Sequence, residues 1–380
     1  MNTTVSSAGT STKTGPVVDA CVFHDWDSVR RYTPYMSDSW RNLVTRPGDP
    51  GGPVNFASRP HHYSPVRREE KNAVDVETLS AAFLDSGLRS RVVLGFEETL
   101  MATGFHSPRM AATSASAAND WTADQWLARD DRLFGFLLVA SGLPDQAASE
   151  IRRVGGNPKI VGVELGANAL GHPYGHPIYR PIFEAAAELG LPVMLHTAVD
   201  EGFDQGVSPV SGGPASTYAE HRAFVSQPLL VHATSMIIQG LFVDIPQTKV
   251  LLAGGGAAWI PAFLWRMDWL YHSNAREAPY LTRLPSEYFL QNFFVTTYAL
   301  EQASSPNAVA RALQTVPGIG DLLIYASGYP NLDCQEPDSI VASIPGMWRE
   351  RVFQQNASKF FRWPAETLAQ DRRVQGEAVK

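Results

Sequence analysis

Glu184-Ala-Ala-Ala-Glu188-Leu-Gly190-Leu-Pro192, running on into Val193-Met-Leu-His196-Thr197, contains the pattern that organises the whole chain. Good helix formers stop at a glycine, which takes the left-handed conformation that ends helices. Proline then opens an apolar run that closes on a histidine, so this is a helix-to-strand junction. The alternation repeats in both directions. Strands are expected at Val17–Val22, Arg91–Phe96, Leu133–Val139, Ile160–Leu165, Pro192–Thr197, Lys249–Ala253, Phe293–Thr297 and Leu322–Ser327. Helical patterns separate them at Val76–Ser86, within Ser107–Leu127, and at Asp145–Val154, Ile178–Leu189, His221–Gly240, Trp259–His272 and Pro306–Thr315. Eight strands in βα alternation favour an α/β fold of the closed (β/α)8, or TIM-barrel, kind over a doubly wound sheet.

A single barrel, residues 16–363, accommodates most of the 380 residues. Residues 1–15 are rich in Ser, Thr and Gly, with no basic or apolar signal region, and read as a disordered tail. Residues 364–380 read as a polar C-terminal tail. Between Arg41 and Asn72 five prolines and three glycines leave no room for a regular element. This insertion (41–72) follows the first strand, on the barrel face where active sites sit, and is expected to form a lid or pocket wall.

Composition removes several function classes. Lys plus Arg total 31 against 38 Asp plus Glu, a formal charge of −7 with no basic stripe, which disfavours nucleic acid. No apolar run approaches the roughly 18 residues of a membrane span. Two cysteines, Cys21 and Cys334, supply neither a disulfide framework nor a cysteine zinc cage, as suits the reducing cytoplasm.

In a barrel the chemistry gathers at the carboxyl ends of the strands. Here those ends read Cys21-Val-Phe23-His24-Asp25-Trp26, His196-Thr197, Gly254-Gly-Gly256-Ala-Ala-Trp259 and Ser327-Gly328-Tyr329-Pro330. His196 titrates in the useful range for an acid or base, with His24 as a secondary candidate and Cys21 as a conceivable nucleophile. Phe23, Trp26, Trp259, Tyr298 and Tyr329 suggest an aromatic rim. His172, Tyr174 and His176 follow the fourth strand, His232 lies on a later helix, and Gly254 and Gly328 leave backbone close to the pocket. Rings with a few polar anchors suit a planar or lipophilic small molecule.

Asn119-Asp-Trp121, Glu150-Ile-Arg-Arg153, Tyr179-Arg-Pro-Ile-Phe-Glu-Ala185, Ala258-Trp-Ile-Pro261, Pro285-Ser-Glu-Tyr288, Tyr329-Pro330 and Asn356-Ala357 resemble the amidohydrolase-related family of metal-dependent barrel hydrolases and decarboxylases. The branch includes aminocarboxymuconate semialdehyde and hydroxybenzoate decarboxylases, and the resemblance runs from about Val17 to Phe361. It implies the barrel, and a dimer or larger homo-oligomer. It also implies a divalent metal, which this chain contradicts at most positions. The family's acidic residue or His, any residue, then His on the first strand falls on Cys21 and Phe23, its ligand before the glycine pair on Gly254, and its metal-binding Asp on Gly328. Only its strand-five histidine survives, as His196.

A zinc or manganese site needs roughly three or four donors at about 2.0–2.3 Å. Two glycines and a phenyl ring donate nothing, so no cofactor is expected. The leading expectation is therefore metal-independent acid/base chemistry on an aromatic or polyketide-like small molecule: cyclisation, isomerisation, dehydration or decarboxylation, as in natural-product tailoring. A second expectation keeps a metal at a relocated site built from His24, Asp25, Asp200, His232 or Asp333 with Cys21 and His196, and hydrolyses or decarboxylates. A third is a non-catalytic descendant that binds a metabolite or a partner protein.

Overall fold

Residues 17–25, 29–44, 75–85, 88–104, 107–167, 171–197, 217–302, 305, 307–331 and 333–364 are described by the computed structural model. Eight parallel strands follow one another round a single sheet in chain order. They are β1 (Val17–Phe23), β2 (Arg89–Gly95), β3 (Leu133–Leu138), β4 (Ile160–Gly166), β5 (Val193–His196), β6 (Val250–Ala253), β7 (Phe293–Thr296) and β8 (Leu323–Ile324). Backbone bonds from Ala20 N to Tyr325 O (2.9 Å), Phe23 N to Tyr329 O (2.8 Å) and Gly328 N to Cys21 O (3.2 Å) bring the last strand segment back to the first. The result is the expected TIM barrel.

Every expected strand is present, and β8 is shorter than expected. Beyond Ile324 the amides leave the ladder: Tyr325 N donates to Val352 O, Ala326 N to Thr297 Oγ1 and Ser327 N to Asp19 Oδ1. The predicted helix His221–Gly240 is two helices, Tyr218–Phe224 and Gln227–Ile238, because Pro228 cannot continue the first and instead starts the second. The predicted insertion begins as helix, since Asp38–Val44 is helical; residues 45–74, the expected tail 1–15 and all but the first residue of the expected tail 364–380 lie outside the described residues. Among the described residues no helix is long and apolar enough to cross a membrane.

The αβ junction behaves as its sequence demands. The helix Arg180–Glu188 ends, Gly190 takes φ +69°, and β5 starts at Val193. Parallel strands covered on both faces are largely apolar, and two cores result. The inner one takes Val18, Val93, Phe136, Val161, Met194, Leu251, Phe294 and Ile324, one from each strand. Phe360 and Phe361, at the end of the helix Asn356–Phe361, close it from below.

One irregularity matters for the site. The β1–β2 register shifts between Asp19 and Val22, so β1 carries an extra residue there. Such a bulge re-aims side chains. Ala20, Cys21 and Phe23 all enter the inner core as a result, while Asp19 faces outward. Asp19 is fully buried and accepts from Arg89 Nε (2.9 Å) and Ser327 N (2.9 Å), tying β1 to β2 and to the strand-eight segment.

Candidate active site

His196, the last residue of β5, is fully buried at the barrel mouth. Its Nδ1 lies 3.1 Å from Phe96 O and 3.1 Å from Glu164 Oε1 on β4. A carbonyl oxygen only accepts, so Nδ1 carries the proton. Nε2 faces Glu97 Oε2 at 3.4 Å. The imidazole is thus bracketed by two carboxylates, each positioned by backbone. Glu164 Oε2 accepts the Phe96 amide at 3.0 Å. The segment carrying Glu97 is held by Asp25, whose oxygens take the Glu97 and Thr99 amides at 2.9 and 2.6 Å, capping the helix Glu98–Ala102. Burial pushes the Glu164 carboxyl up to about 7, against the lowering pull of His196.

Glu164 and Glu97 escaped the sequence reading, although both left a signal. Glu164 is the lone charge in the apolar run Ile160-Val-Gly-Val-Glu-Leu165, and Glu97 follows the end of β2. A charge inside a fully buried parallel strand requires a partner.

Around this unit the remaining strand ends contribute bulk and space. Phe23 stacks face to face on His196, with centroids 4.8 Å apart and planes within 6°. Tyr298 meets Phe23 edge-on at 6.0 Å. Gly254 has φ +84°, and a Cβ there would stand 2.6 Å from Thr197 Oγ1 and 3.6 Å from His196 Cδ2. Cys21 is buried on the same inner surface; burial first, and then the charge of Glu164, raises its thiol well above the usual range. It is held as a thiol, which removes the nucleophile expected from sequence.

Several other expectations are corrected by their surroundings. His24 sits in a cage: Nδ1 is 3.0 Å from Gly95 O, Nε2 is 2.8 Å from Thr122 Oγ1, and the ring stacks on Trp121. With burial lowering it to about 4, it is a neutral structural histidine. His232 is likewise occupied, its Nδ1 accepting the Tyr174 amide (3.2 Å) and its Nε2 donating to Ala167 O. Tyr174 spends its hydroxyl on Gly166 O. His172 and His176 stack on each other in an outer turn, where the His176 ring accepts the Ile178 amide.

The aromatic rim is not a rim. Phe23, Tyr174, Tyr298 and Tyr329 are all buried, and Tyr329 packs outward on Phe83. Trp259 braces the glycine turn by donating to Gly255 O and Gly256 O. That turn's next amides, of Ala257 and Ala258, are taken by Glu301 Oε2 at 3.0 and 2.9 Å. Trp26 lies outside the described residues. On the β6–β8 side a cleft of about 510 Å³ opens, lined by Arg222, Ser226, Gly255, Glu301, Asp333 and Gln335 among others.

The family's metal does not fit the positions this chain leaves for it. At 328 a Cβ would fall 2.2 Å from two ring carbons of Tyr298, so even an alanine has no space there. Among the described residues, no three His, Cys, Asp or Glu side chains form a group able to hold a metal ion. The relocated site fares no better. His24 and His232 have both ring nitrogens engaged, Asp25 caps a helix, and Asp333 is bonded to Arg222 and Tyr298. Asp200 lies outside the described residues.

Comparison with known proteins agrees with the fold. A γ-resorcylate decarboxylase of Rhodococcus jostii (strain RHA1) is 33% identical over 202 residues, 48% of this chain and 57% of that protein, so the match spans little more than half of the relative. The solved 5-carboxyvanillate decarboxylase of Novosphingobium aromaticivorans, complexed with manganese and 4-hydroxy-3-methoxy-5-nitrobenzoic acid, superposes with TM-score 0.64 at 20% identity, over 92% of this chain and 96% of that one. An amidohydrolase of Mycobacterium avium subsp. paratuberculosis superposes with TM-score 0.71 at 16% identity, over 93% and 100%. The amidohydrolase family model matches residues 83–363, well over half of the sequence, and the chain belongs to the amidohydrolase family.

Proposed function

We propose that the protein is an amidohydrolase-fold enzyme that decarboxylates a hydroxylated aromatic acid or a similar planar carboxylate by proton transfer at His196. The observation that carries this reading is the buried Glu164–His196–Glu97 unit at the barrel mouth, where Nδ1–H is anchored and Nε2 is left to exchange a proton. The decarboxylase relatives favour this reaction over cyclisation, isomerisation or dehydration.

In the reaction the ring carbon bearing the carboxylate takes a proton from Nε2 of the His196 imidazolium, and a hydroxyl ortho to the carboxylate helps by carrying charge as the ring loses aromaticity. The bond between that carbon and the carboxylate then breaks, CO2 departs, and the bond's electron pair returns to the ring and restores its aromaticity. Glu164, hydrogen-bonded at Nδ1, stabilises the imidazolium in its ionised form, and solvent returns the proton to Nε2. No step is assigned to a metal, because the donor set does not support one.

The manganese in the solved neighbour favours a second reading, a metal-dependent decarboxylase. One experiment separates them: CO2 release from γ-resorcylate and 5-carboxyvanillate, measured with chelator and again with added manganese. Equal rates with and without manganese support acid/base chemistry alone. Activity that appears only with manganese favours the second reading. No release from either acid or from a wider panel of hydroxybenzoates removes the decarboxylase reading.

A further inference from the structure

Tyr298 follows β7 and is buried. Its hydroxyl is fixed at both ends of its hydrogen-bonding capacity, receiving from Asn331 Nδ2 at 2.9 Å and donating to Asp333 Oδ1 at 3.2 Å. The Arg222 guanidinium lies over the ring, 5.5 Å from its centroid, and is itself paired with Asp333. Three neighbours therefore hold one ring in one place.

That place is the space belonging to residue 328. A Cβ built on Gly328 would be 2.2 Å from Cδ2 and Cε2 of Tyr298 and 2.7 Å from Cγ. Real Cβ atoms do not approach heavy atoms so closely, so the ring and any side chain at 328 exclude each other. The backbone agrees, since Gly328 has φ +69°, a left-handed conformation that strains any side chain even without the ring. Gly328 and Tyr298 act as one feature supplied by two strand ends.

The ring's other edge bears on Phe23, which lies flat on His196. His196 Nδ1 is anchored by Phe96 O and Glu164 and Nε2 faces Glu97, while its ring face is covered by Phe23. In a barrel with a metal, ligation would fix the orientation of a strand-five imidazole. Here packing replaces ligation.

We propose that Tyr298 is a positioning residue of this site: its ring fills the volume left by Gly328 and backs Phe23 against His196, fixing the imidazole by stacking where a ligated cation would fix it by coordination. The functional consequence rests on His196 being the proton-transfer group, but the tests below read packing and ring orientation and not turnover. A failed decarboxylase reading therefore leaves them intact, and their failure leaves the reaction open.

The first test is a mutant cycle at 298 and 328, read by thermal unfolding. Gly328→Ala is expected to lower the melting temperature by about 5 °C or more in the wild-type background, and clearly less in a Tyr298→Ala background, where only the backbone cost remains. Equal shifts in both backgrounds overturn the claim that the ring owns the space. The second test is the imidazole 15N signature of His196. Tyr298→Phe keeps the ring and is expected to preserve it; Tyr298→Ala, still folded, is expected to shift it, because Phe23 loses its backing. An unchanged signature in folded Tyr298→Ala overturns the positioning role.

Discussion

The two halves of the barrel mouth have diverged. On β4 and β5, Glu164 and His196 form a polar pair: a carbonyl and two carboxylates surround the imidazole, and Glu164 in turn accepts the Phe96 amide. Round the rest of the mouth, β1, the neighbouring β6 and the segment after β8 present Cys21, Phe23, Gly254 and Gly328, with Tyr298 filling the space beside Gly328. One half is equipped to move protons, and the other to exclude volume. A group needed for proton transfer depends on its neighbours' electrostatics, whereas a metal needs donors from several strands at once, so under the proposed function the loss of donors removes ligation and leaves acid/base chemistry.

The largest expected effect tests the polar half. His196→Ala is predicted to reduce CO2 release by about 100-fold or more, the usual worth of a general acid or base. Retention of most of the rate would move the chemistry elsewhere and make the comparison meaningless.

His24 provides the contrast, since it follows the end of β1 at the same barrel mouth but is enclosed by Gly95 O, Thr122 and Trp121. His24→Ala is expected to cost about 2–4 kcal/mol of stability, through lost packing and two unsatisfied partners, while activity per folded molecule stays near wild type. Chemical denaturation paired with active-site titration checks it. An inactive but stable variant would assign His24 to the site after all.

The pH dependence of stability sharpens the comparison further. His24 and His232 are lowered to about 4 by burial, so the fold favours their neutral forms. Their contribution is complete above the unfolded value of about 6.5 and is lost as pH falls towards 4. Glu164 runs the other way. Raised to about 7, it holds a proton that the unfolded carboxyl releases, so its contribution is present below about 4.3 and lost as pH rises through 7. Glu164→Gln is therefore expected to compare better with wild type at pH 8 than at pH 5 in urea unfolding midpoints. The reverse order would show that Glu164 is ionised in the fold throughout.

Most of the fold was legible from the chain because strand and helix periodicities act locally and the glycine-proline junctions mark boundaries. All eight strands fell where alternation placed them. The errors came from non-local bonding: β8 is cut short by amides diverted to Val352 O, Thr297 and Asp19. The site was half legible. The place of His196 at a strand end could be read from position, but the surroundings of His24, His232 and Tyr174 could not, since a buried and satisfied imidazole has the same sequence signature as a catalytic one. The rings expected to line an opening fill it instead, because proximity to a strand end does not say whether a ring faces space or another ring.

The smallest effect is expected from the turn before the helix Arg180–Glu188. His172 is exposed and stacks only on His176, so His172→Ala is predicted to change stability by less than about 0.5 kcal/mol and to leave activity unchanged. A large activity loss, measured in the same CO2 assay, would extend the polar half beyond β4 and β5.

The central claim is that this barrel keeps the proton-transfer half of its family's site without the donors for a metal. Elemental analysis of protein saturated with manganese and zinc, then freed of unbound ion by gel filtration, tests it most directly. The account predicts far less than one metal ion per chain, with no difference between wild type and His196→Ala. One ion per chain that disappears in His196→Ala would contradict it.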